Sequence, residues 1–277
     1  MYKGEIPREQ YDSAPGERWS RIKNMRKSPL HYKHAADKGE RSTDVFRLGG
    51  AVHCAVLEPE HFESRYVVYS ESKTSGEGCR GRWADFQSAH SHLTILAPDE
   101  MLAVNGMAAA VRAHPQASKL LAQGRAEVPL TWIDKRTGIA CKSRLDWVTR
   151  QHMMIEFKSA ASIDQRTFAN QAWKYGYFHQ VWQYACGLAA QLDRDPDKIE
   201  TAVIAVESSE PHDVAVYLPC SDSLYAAREE VEQILDTLAE CRRTGIYPGR
   251  YTEQTILTAP RYVLDSEDED WQVSVKE

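Results

Sequence analysis

Hydrophobic and polar residues alternate along two short stretches in the middle of the chain, separated by a polar turn at residues 149–152. The apolar positions of these stretches are Cys141, Leu145, Trp147, Ile155 and Phe157. The polar positions between them are Lys142, Arg144, Asp146, Glu156 and Lys158. Side chains of a strand point to opposite faces with a period of two. The pattern therefore predicts two adjacent strands, with Leu145 and Trp147 on one face and with Asp146 able to meet Glu156 and Lys158.

The remaining pattern predicts helices and further strands on both sides of this pair. Helices are expected at residues 30–38, 43–57, 83–92, 98–113, 164–192 and 224–243, where apolar positions recur at helical spacing. Strands are expected at 66–69, 127–132, 202–206 and 214–218, with a hairpin turn at 134–138. Residues 70–82 are expected to form a glycine-rich loop that contains Arg80 and Arg82. This loop either contacts phosphate or is a plain flexible connection between its neighbouring elements. These elements predict an α/β fold.

Composition narrows the class of protein. The chain has 277 residues, 42% hydrophobic and 27% charged, which is normal for a soluble globular protein with a real core. The net charge of −6 argues against a protein that coats DNA, but it allows an enzyme that holds DNA in a local basic groove. The six cysteines lack any Cys-x-x-Cys spacing, which favours reduced thiols in a cytoplasm. We expect no membrane span and no signal peptide.

The polar positions of the strand pair suggest a metal site. Two carboxylates that converge on one spot repel each other and are costly to bury, and a divalent cation removes that cost. A lysine two residues along the strand can orient or help deprotonate an attacking water, as in phosphodiester hydrolysis. The alternative is a solvated strand face with cross-strand ion pairs. His53 lies on the inward stripe of its predicted helix, either as a hydrogen-bonded core residue or as a ligand.

Several motifs resemble one nuclease family. They are Ser28-Pro-Leu-His-Tyr32, the run from Leu48 to Pro59, the segment from Cys141 to Asp146, Glu156-x-Lys158, and Tyr177-Phe-His-Gln180-Val-Trp-Gln-Tyr184. In order and spacing they are similar to the RecE-type (exonuclease VIII) nuclease domain of phages and prophages, within the PDDEXK superfamily. The resemblance implies a restriction-endonuclease-like core at 28–250, with a mixed sheet flanked by helices. A helical arm at 1–27 and a tail at 251–277 would lie outside it.

The same resemblance implies roles for individual residues. His53, Asp146, Glu156 and the backbone carbonyl of Phe157 would bind Mg²⁺. Lys158 would assist the attacking water. Two further residues, Gln180 and Tyr184, would support the lysine and the scissile strand. Because imidazole is a softer ligand than oxygen, Mn²⁺ is expected to substitute.

The activity implied by the resemblance is processive 5′→3′ digestion of one strand at double-stranded DNA ends, in the cytoplasm of a bacterial host. The partners would be further copies of the chain, in a trimeric or tetrameric ring, and a RecT-type single-strand annealing protein. Lys142 and Arg144, on the Asp146 face of their strand, are candidates for phosphate contact or plain surface charge. The alternatives are another PDDEXK nuclease, either an endonuclease or a Cas4-like enzyme, and an inactive module that binds DNA or a partner. The Cas4-like form needs a cysteine cluster that the spacing does not provide.

Overall fold

The structure is a computed structural model that describes residues 2–38, 44–71, 73–74 and 78–260, with side chains from residue 47 onward in the second range. The helices in this part of the chain are α1 (Trp19–Ile22), α2 (Pro29–Lys38), α3 (Asp44–Leu57), α4 (Cys79–Ala89), α5 (Pro98–Ala113), α6 (Pro115–Leu121), α7 (Gln165–Tyr175), α8 (Tyr177–Leu192) and α9 (Ser221–Thr244). The strands are β1 (Tyr66–Val68), β2 (Thr94–Leu96), β3 (Gly124–Ile133), β4 (Ala140–Thr149), β5 (Met154–Ala160), β6 (Thr201–Glu207) and β7 (Val214–Tyr217).

A five-stranded mixed sheet forms the centre of the molecule, in the order β3-β4-β5-β6-β7. The pairs β3–β4, β4–β5 and β6–β7 are antiparallel, whereas β5 and β6 are parallel. A parallel pair needs a long crossover, and α7 and α8 supply it. Strands β1 and β2 form a separate parallel pair. The predicted α/β fold with a mixed sheet flanked by helices is confirmed.

Each face of the sheet is covered by a different set of helices. On one face, Val52 of α3 and Met107 of α5 pack with Ile155 and Ile204 of the sheet. On the other face, Leu188 of α8 packs in a cluster with sheet residues that include Met154 and Val203. Parity along β5 therefore sends Ile155 and Phe157 toward α3, and Glu156 and Lys158 toward α8.

The described part of the predicted N-terminal arm packs on the sheet. Glu5 forms a bridge with Leu130 of β3, and Glu17 forms one with Cys141 of β4. Further along, Trp19 and Ile22 are buried in a cluster with α9. Backbone pairing and apolar burial together fix this segment against the edge of the sheet.

Several boundaries differ from the predictions. The predicted helix 164–192 is two helices, because Gly176 adopts φ +79° and ends α7. A side chain at this position would also collide with Trp19, 2.6 Å from an added Cβ. Helix α4 begins at Cys79, so Arg80 and Arg82 lie in its first turn and not in a loop. The rest of the predicted loop includes residues 72 and 75–77, which lie outside the described residues.

The C-terminal part beyond α9 carries no helix or strand as far as residue 260. Its acidic run at 266–270 lies outside the described residues. Within the described residues, no helix has the length and apolar character needed to cross a bilayer.

Candidate metal centre

Three carboxylates lie in one row across neighbouring strands. In the β3–β4 register, Ala126 pairs with Trp147 and Val128 with Leu145, so Glu127 stands opposite Asp146. In the β4–β5 register, Trp147 pairs with Ile155, and the next position would set Asp146 opposite Glu156. The β4–β5 ladder ends before that position. Glu127, Asp146 and Glu156 therefore lie side by side at the point where β4 and β5 cease to pair, which we call the opening of the sheet.

At this row, the side chains of β3 and β4 switch from one face of the sheet to the other. Ala126 and Trp147 pack against the cluster under α3 and α5, whereas Val128 and Leu145 belong to the cluster under α8. Residues two apart share a face in a regular strand, so β3 and β4 change face at Glu127 and Asp146. Glu127 has φ +51°, a left-handed conformation that is costly for a residue with a side chain. The prediction that Leu145 and Trp147 share a face was wrong for this reason.

His53 of α3 joins two of these carboxylates. Its Nδ1 lies 3.2 Å from Glu127 Oε1, and its Nε2 lies 3.1 Å from Asp146 Oδ1. In the described part of the chain, these three residues offer ligand atoms that all lie within 4.8 Å of one another. Burial opposes protonation of His53, but the charges of Asp146 and Glu127 raise its pKa. When protonated, the imidazole would supply positive charge between the two carboxylates, and when neutral it could bind a cation there.

Asp146 is held in place from both sides. Its Oδ2 accepts a hydrogen bond of 2.8 Å from the backbone N–H of Phe157, so the side chain takes over from the interrupted ladder. Burial opposes ionisation, but the charge and hydrogen bond of His53 lower the pKa of Asp146 to about 2. The contact observed for Phe157 is this N–H donation, while its predicted role as a carbonyl ligand stays a prediction.

Glu156 lies in a second group with Lys158 and Gln180. The side chain of Glu156 is 1% exposed and forms an ion pair with Lys158 Nζ. Gln180 Nε2 donates to Glu156 Oε1 at 2.6 Å, and Lys158 Nζ donates to Gln180 Oε1 at 3.2 Å. Burial and the charge of Asp146 raise the pKa of Glu156 to about 7. The two groups therefore act on each other electrostatically.

The donor set fits a divalent cation. Glu156 Oε2 is buried and has no hydrogen-bond partner among the residues that the structure describes, which is costly for a carboxylate oxygen. Beside it stand two further carboxylates and an imidazole. Oxygen ligands with a single nitrogen suit Mg²⁺ and, more readily, Mn²⁺. Of the residues predicted as ligands, His53 and Asp146 are in direct contact. Glu156 is near enough to Asp146 for the charge of Asp146 to raise its pKa.

Two tyrosines surround the lysine and glutamine. Lys158 Nζ lies 4.9 Å from the ring centre of Tyr177. Tyr184 is half-buried one turn beyond Gln180, and burial followed by the charge of Glu156 raises its pKa well above the usual value. The predicted neighbours Lys158, Gln180 and Tyr184 thus lie together on the α8 side of the row.

Sequence analysis missed Glu127. The sequence pattern predicts Glu127 only as the first residue of a strand and indicates no role for it. The predicted hairpin turn could have identified Glu127. Ile133 pairs with Ala140 next to the turn, and six positions farther from the turn on each strand Glu127 lies opposite Asp146. Two arginines also meet Glu127 Oε2: Arg144 Nε at 2.5 Å and Arg8 Nη2 at 3.6 Å.

The predicted DNA-contacting residues are in different situations. Lys142 is 3% exposed, and its Nζ donates to the carbonyls of Tyr11, Asp12 and Ala14 at 2.8 to 3.1 Å. Its predicted phosphate contact does not fit this position, because the ammonium group anchors the N-terminal segment instead. Arg144 is 40% exposed beside Glu127.

Arg80 and Arg82 lie at the start of α4, where Arg82 Nε pairs with Glu71 at 2.6 Å. Their predicted contact with DNA stays a prediction.

Comparison with known proteins identifies the family to which the chain belongs. A family described as a PDDEXK-like domain of unknown function (DUF3799) matches residues 19–257. The crystal structure of a "putative exonuclease" from Eubacterium rectale superposes with a TM-score of 0.62 and 12% identity, covering 94% of this chain and 97% of that one. The structure of SSO0001 aligns at a TM-score of only 0.27 and 11% identity, over 77% of this chain and 89% of that one, and carries no argument. No match to a curated protein was found. With a family match across most of its length and a carboxylate row at the opening of the sheet, the chain belongs to the PDDEXK-like DUF3799 family and has a nuclease-type fold.

Proposed function

We propose that the chain is a metal-dependent exodeoxyribonuclease that hydrolyses phosphodiester bonds at the ends of double-stranded DNA. The observation that carries this proposal is the meeting of His53, Glu127 and Asp146 within 4.8 Å, next to the ion pair between Lys158 and the buried Glu156. Within the described residues, the second oxygen of the Glu156 carboxylate, Oε2, has no hydrogen-bond partner and is free to bind an ion.

Different residues of the site would bind the metal and position the attacking water. His53, Glu127, Asp146 and Glu156 would hold one or two Mg²⁺ ions, with Mn²⁺ as a substitute. When bound, the ion lowers the pKa of a water nucleophile and offsets charge on the phosphate. Lys158 orients the attacking water and stabilises negative charge on the phosphate oxygens.

Gln180 fixes the positions of the Lys158 and Glu156 side chains, because it accepts a hydrogen bond from the lysine and donates one to the carboxylate. Tyr184 lines the α8 side of the site. We infer that the half-exposed Arg144 contacts a DNA phosphate beside the carboxylate row.

The direction of digestion and the partners follow from the RecE-type resemblance of the motifs. We infer 5′→3′ digestion that leaves a 3′ single strand, which a RecT-type annealing protein would receive during recombination. A ring of three or four subunits would retain the DNA between cleavages. A positive surface confined to the bore would agree with the net charge of −6.

The test is digestion of linear duplex DNA that carries a different fluorophore at each 5′ and 3′ end. We expect loss of duplex with Mg²⁺ and with Mn²⁺, none with EDTA, and early release of the 5′ label. Asp146→Asn and Lys158→Met are expected to lower the rate by at least about 100-fold, in keeping with the size of general acid–base and electrostatic contributions. Lys119→Met, a change at an exposed lysine of α6, is the matched control and should digest normally.

Closed circular DNA separates the alternatives. An exonuclease leaves it intact, whereas nicking of the circle would show an endonuclease. Linear DNA that stays intact with both metals would refute the proposed activity, and a Lys158→Met protein as active as the wild type would refute the role of the lysine. Mass measurement in solution tests the ring.

A further inference from the structure

The junction between α7 and α8 lies beside the Glu156–Lys158 pair and has a fixed shape. Gly176 adopts φ +79° there, and an added Cβ would stand 2.6 Å from the ring of Trp19. Trp19 is itself 3% exposed. The turn is therefore held by a buried side chain and presents the end of α7 in a defined position.

Aromatic rings lead from Lys158 to the surface across this junction. The ring centre of Tyr177 lies 4.9 Å from Lys158 Nζ, and the ring centre of Tyr175 lies 6.1 Å from that of Tyr177. The ring of Tyr175 is thus no more than 4.9 + 6.1 = 11.0 Å from the lysine nitrogen. Tyr177 is half-buried, but Tyr175 is 52% exposed. Lys174 Nζ lies 5.6 Å from the ring centre of Tyr175.

Exposure alone does not distinguish this tyrosine, because Tyr225 of α9 is 60% exposed. What distinguishes Tyr175 is its continuity with Lys158 through Tyr177. An exposed ring with an ammonium group next to it offers a face for a nucleobase and a charge for the adjoining phosphate. Stacking of a base on an aromatic side chain tolerates any sequence, because every base has a π-face.

We propose that Tyr175 is a stacking platform for a base of the DNA strand that is being cleaved. This inference rests on the proposed nuclease function. Successive nucleotides of one duplex strand rise by about 3.4 Å, so the span of at most 11.0 Å from Lys158 Nζ to the ring of Tyr175 corresponds to about three nucleotide steps. The stacked base would therefore lie a few nucleotides from the scissile phosphate. The platform would hold the end of the duplex in register with Lys158 and the carboxylate row.

The experiment uses linear duplexes with a single 2-aminopurine at each of the terminal positions of either strand, in EDTA so that the DNA stays whole. Binding is followed by anisotropy of a remote fluorophore, and stacking by quenching of the 2-aminopurine. The wild type should quench the probe at one or two neighbouring positions of one strand. Tyr175→Phe should keep this quenching.

Tyr175→Ala should lose the quenching and bind roughly 5- to 150-fold more weakly, the range typical of losing one stacked base. Tyr225→Ala, a change at an equally exposed tyrosine, should behave as wild type.

The outcomes separate the platform from the nuclease function. Quenching that persists in Tyr175→Ala, or is lost equally in Tyr225→Ala, overturns the platform while DNA binding stands. A wild-type protein that shows no anisotropy change with any duplex, either in EDTA or with Ca²⁺ in place of Mg²⁺, overturns the proposed function and the platform with it. Thermal melts of each variant show that binding is compared between folded proteins.

Discussion

Removing the charge of Glu58 is expected to destabilise the protein at neutral pH. Glu58 follows α3, the helix that carries His53, and is 5% exposed. Its carboxylate pairs with Arg8 of the N-terminal segment and accepts a hydrogen bond of 2.7 Å from Arg65, just before β1. Burial opposes ionisation, but the hydrogen bonds and charges of the two arginines lower the pKa of Glu58 from 4.5 to about 2.

This pKa sets the magnitude of the effect. One pKa unit corresponds to about 1.4 kcal/mol, so a fall from 4.5 to about 2 gives an upper limit of about 3 kcal/mol in the free energy of unfolding. Solvent reaches both partners, since the side chains of Arg8 and Arg65 are 38% and 31% exposed. Screening by that solvent reduces the gain. We therefore expect Glu58→Gln to lose about 1.5 to 3 kcal/mol at pH 7.

The sign of the pH dependence follows from the lowered pKa. The stability that Glu58 contributes is fully present above its unfolded pKa of 4.5 and is lost as pH falls through the folded value of about 2. Urea denaturation of wild type and Glu58→Gln at a series of pH values measures the difference. That difference should be constant from pH 7 to about pH 5 and should shrink steadily below about pH 4.5.

A neighbouring acid provides the control. Glu63 is exposed a few residues along the chain, and Glu63→Gln should change the free energy of unfolding by no more than about 0.5 kcal/mol. If Glu58→Gln is as stable as the wild type at pH 7, or if its deficit grows toward acid pH, the assigned role of the ion-pair network is wrong.

Three further predictions concern the site and its supports. Glu127→Gln should weaken Mn²⁺ binding, measured calorimetrically, by at least about tenfold, since loss of outer-shell partners alone has that effect; unchanged affinity would remove Glu127 from the ligand set. Gly176→Ala should lower the free energy of unfolding by at least about 1 to 2 kcal/mol because of its left-handed φ and its contact with Trp19; an unshifted thermal melt would contradict this. Lys142→Met should expose the N-terminal segment to trypsin, whereas Arg144→Gln should weaken DNA binding without doing so; the reverse pattern would exchange their roles.

Periodicity in the sequence was enough to predict the strands that carry the site. Alternation around residues 149–152 placed Asp146, Glu156 and Lys158 on neighbouring strands, and β4 and β5 are there. Helical spacing placed Gln180 and Tyr184 one turn apart, as they are in α8. These features depend on local geometry, which a sequence pattern records directly.

The same periodicity failed where the backbone departs from regular geometry. Counting in twos put Leu145 and Trp147 on one face, but the strands turn over at Glu127 and Asp146. Helical periodicity ran through Gly176, although its left-handed φ ends α7 there. Both irregularities are supported by contacts distant in sequence, namely His53 against the carboxylates and Trp19 against the glycine.

By itself, the sequence determined the α/β class, most of the strands and helices, and the acid–lysine pattern that resembles a nuclease. Only the tertiary structure decided that Glu127 joins the carboxylate row, that Lys142 anchors the N-terminal segment, and that Arg8 of the same segment reaches Glu127. The physical reason is the range of the interactions. Strand and helix periods arise between residues a few positions apart, whereas a buried charge is placed by whichever partners the whole fold brings to it.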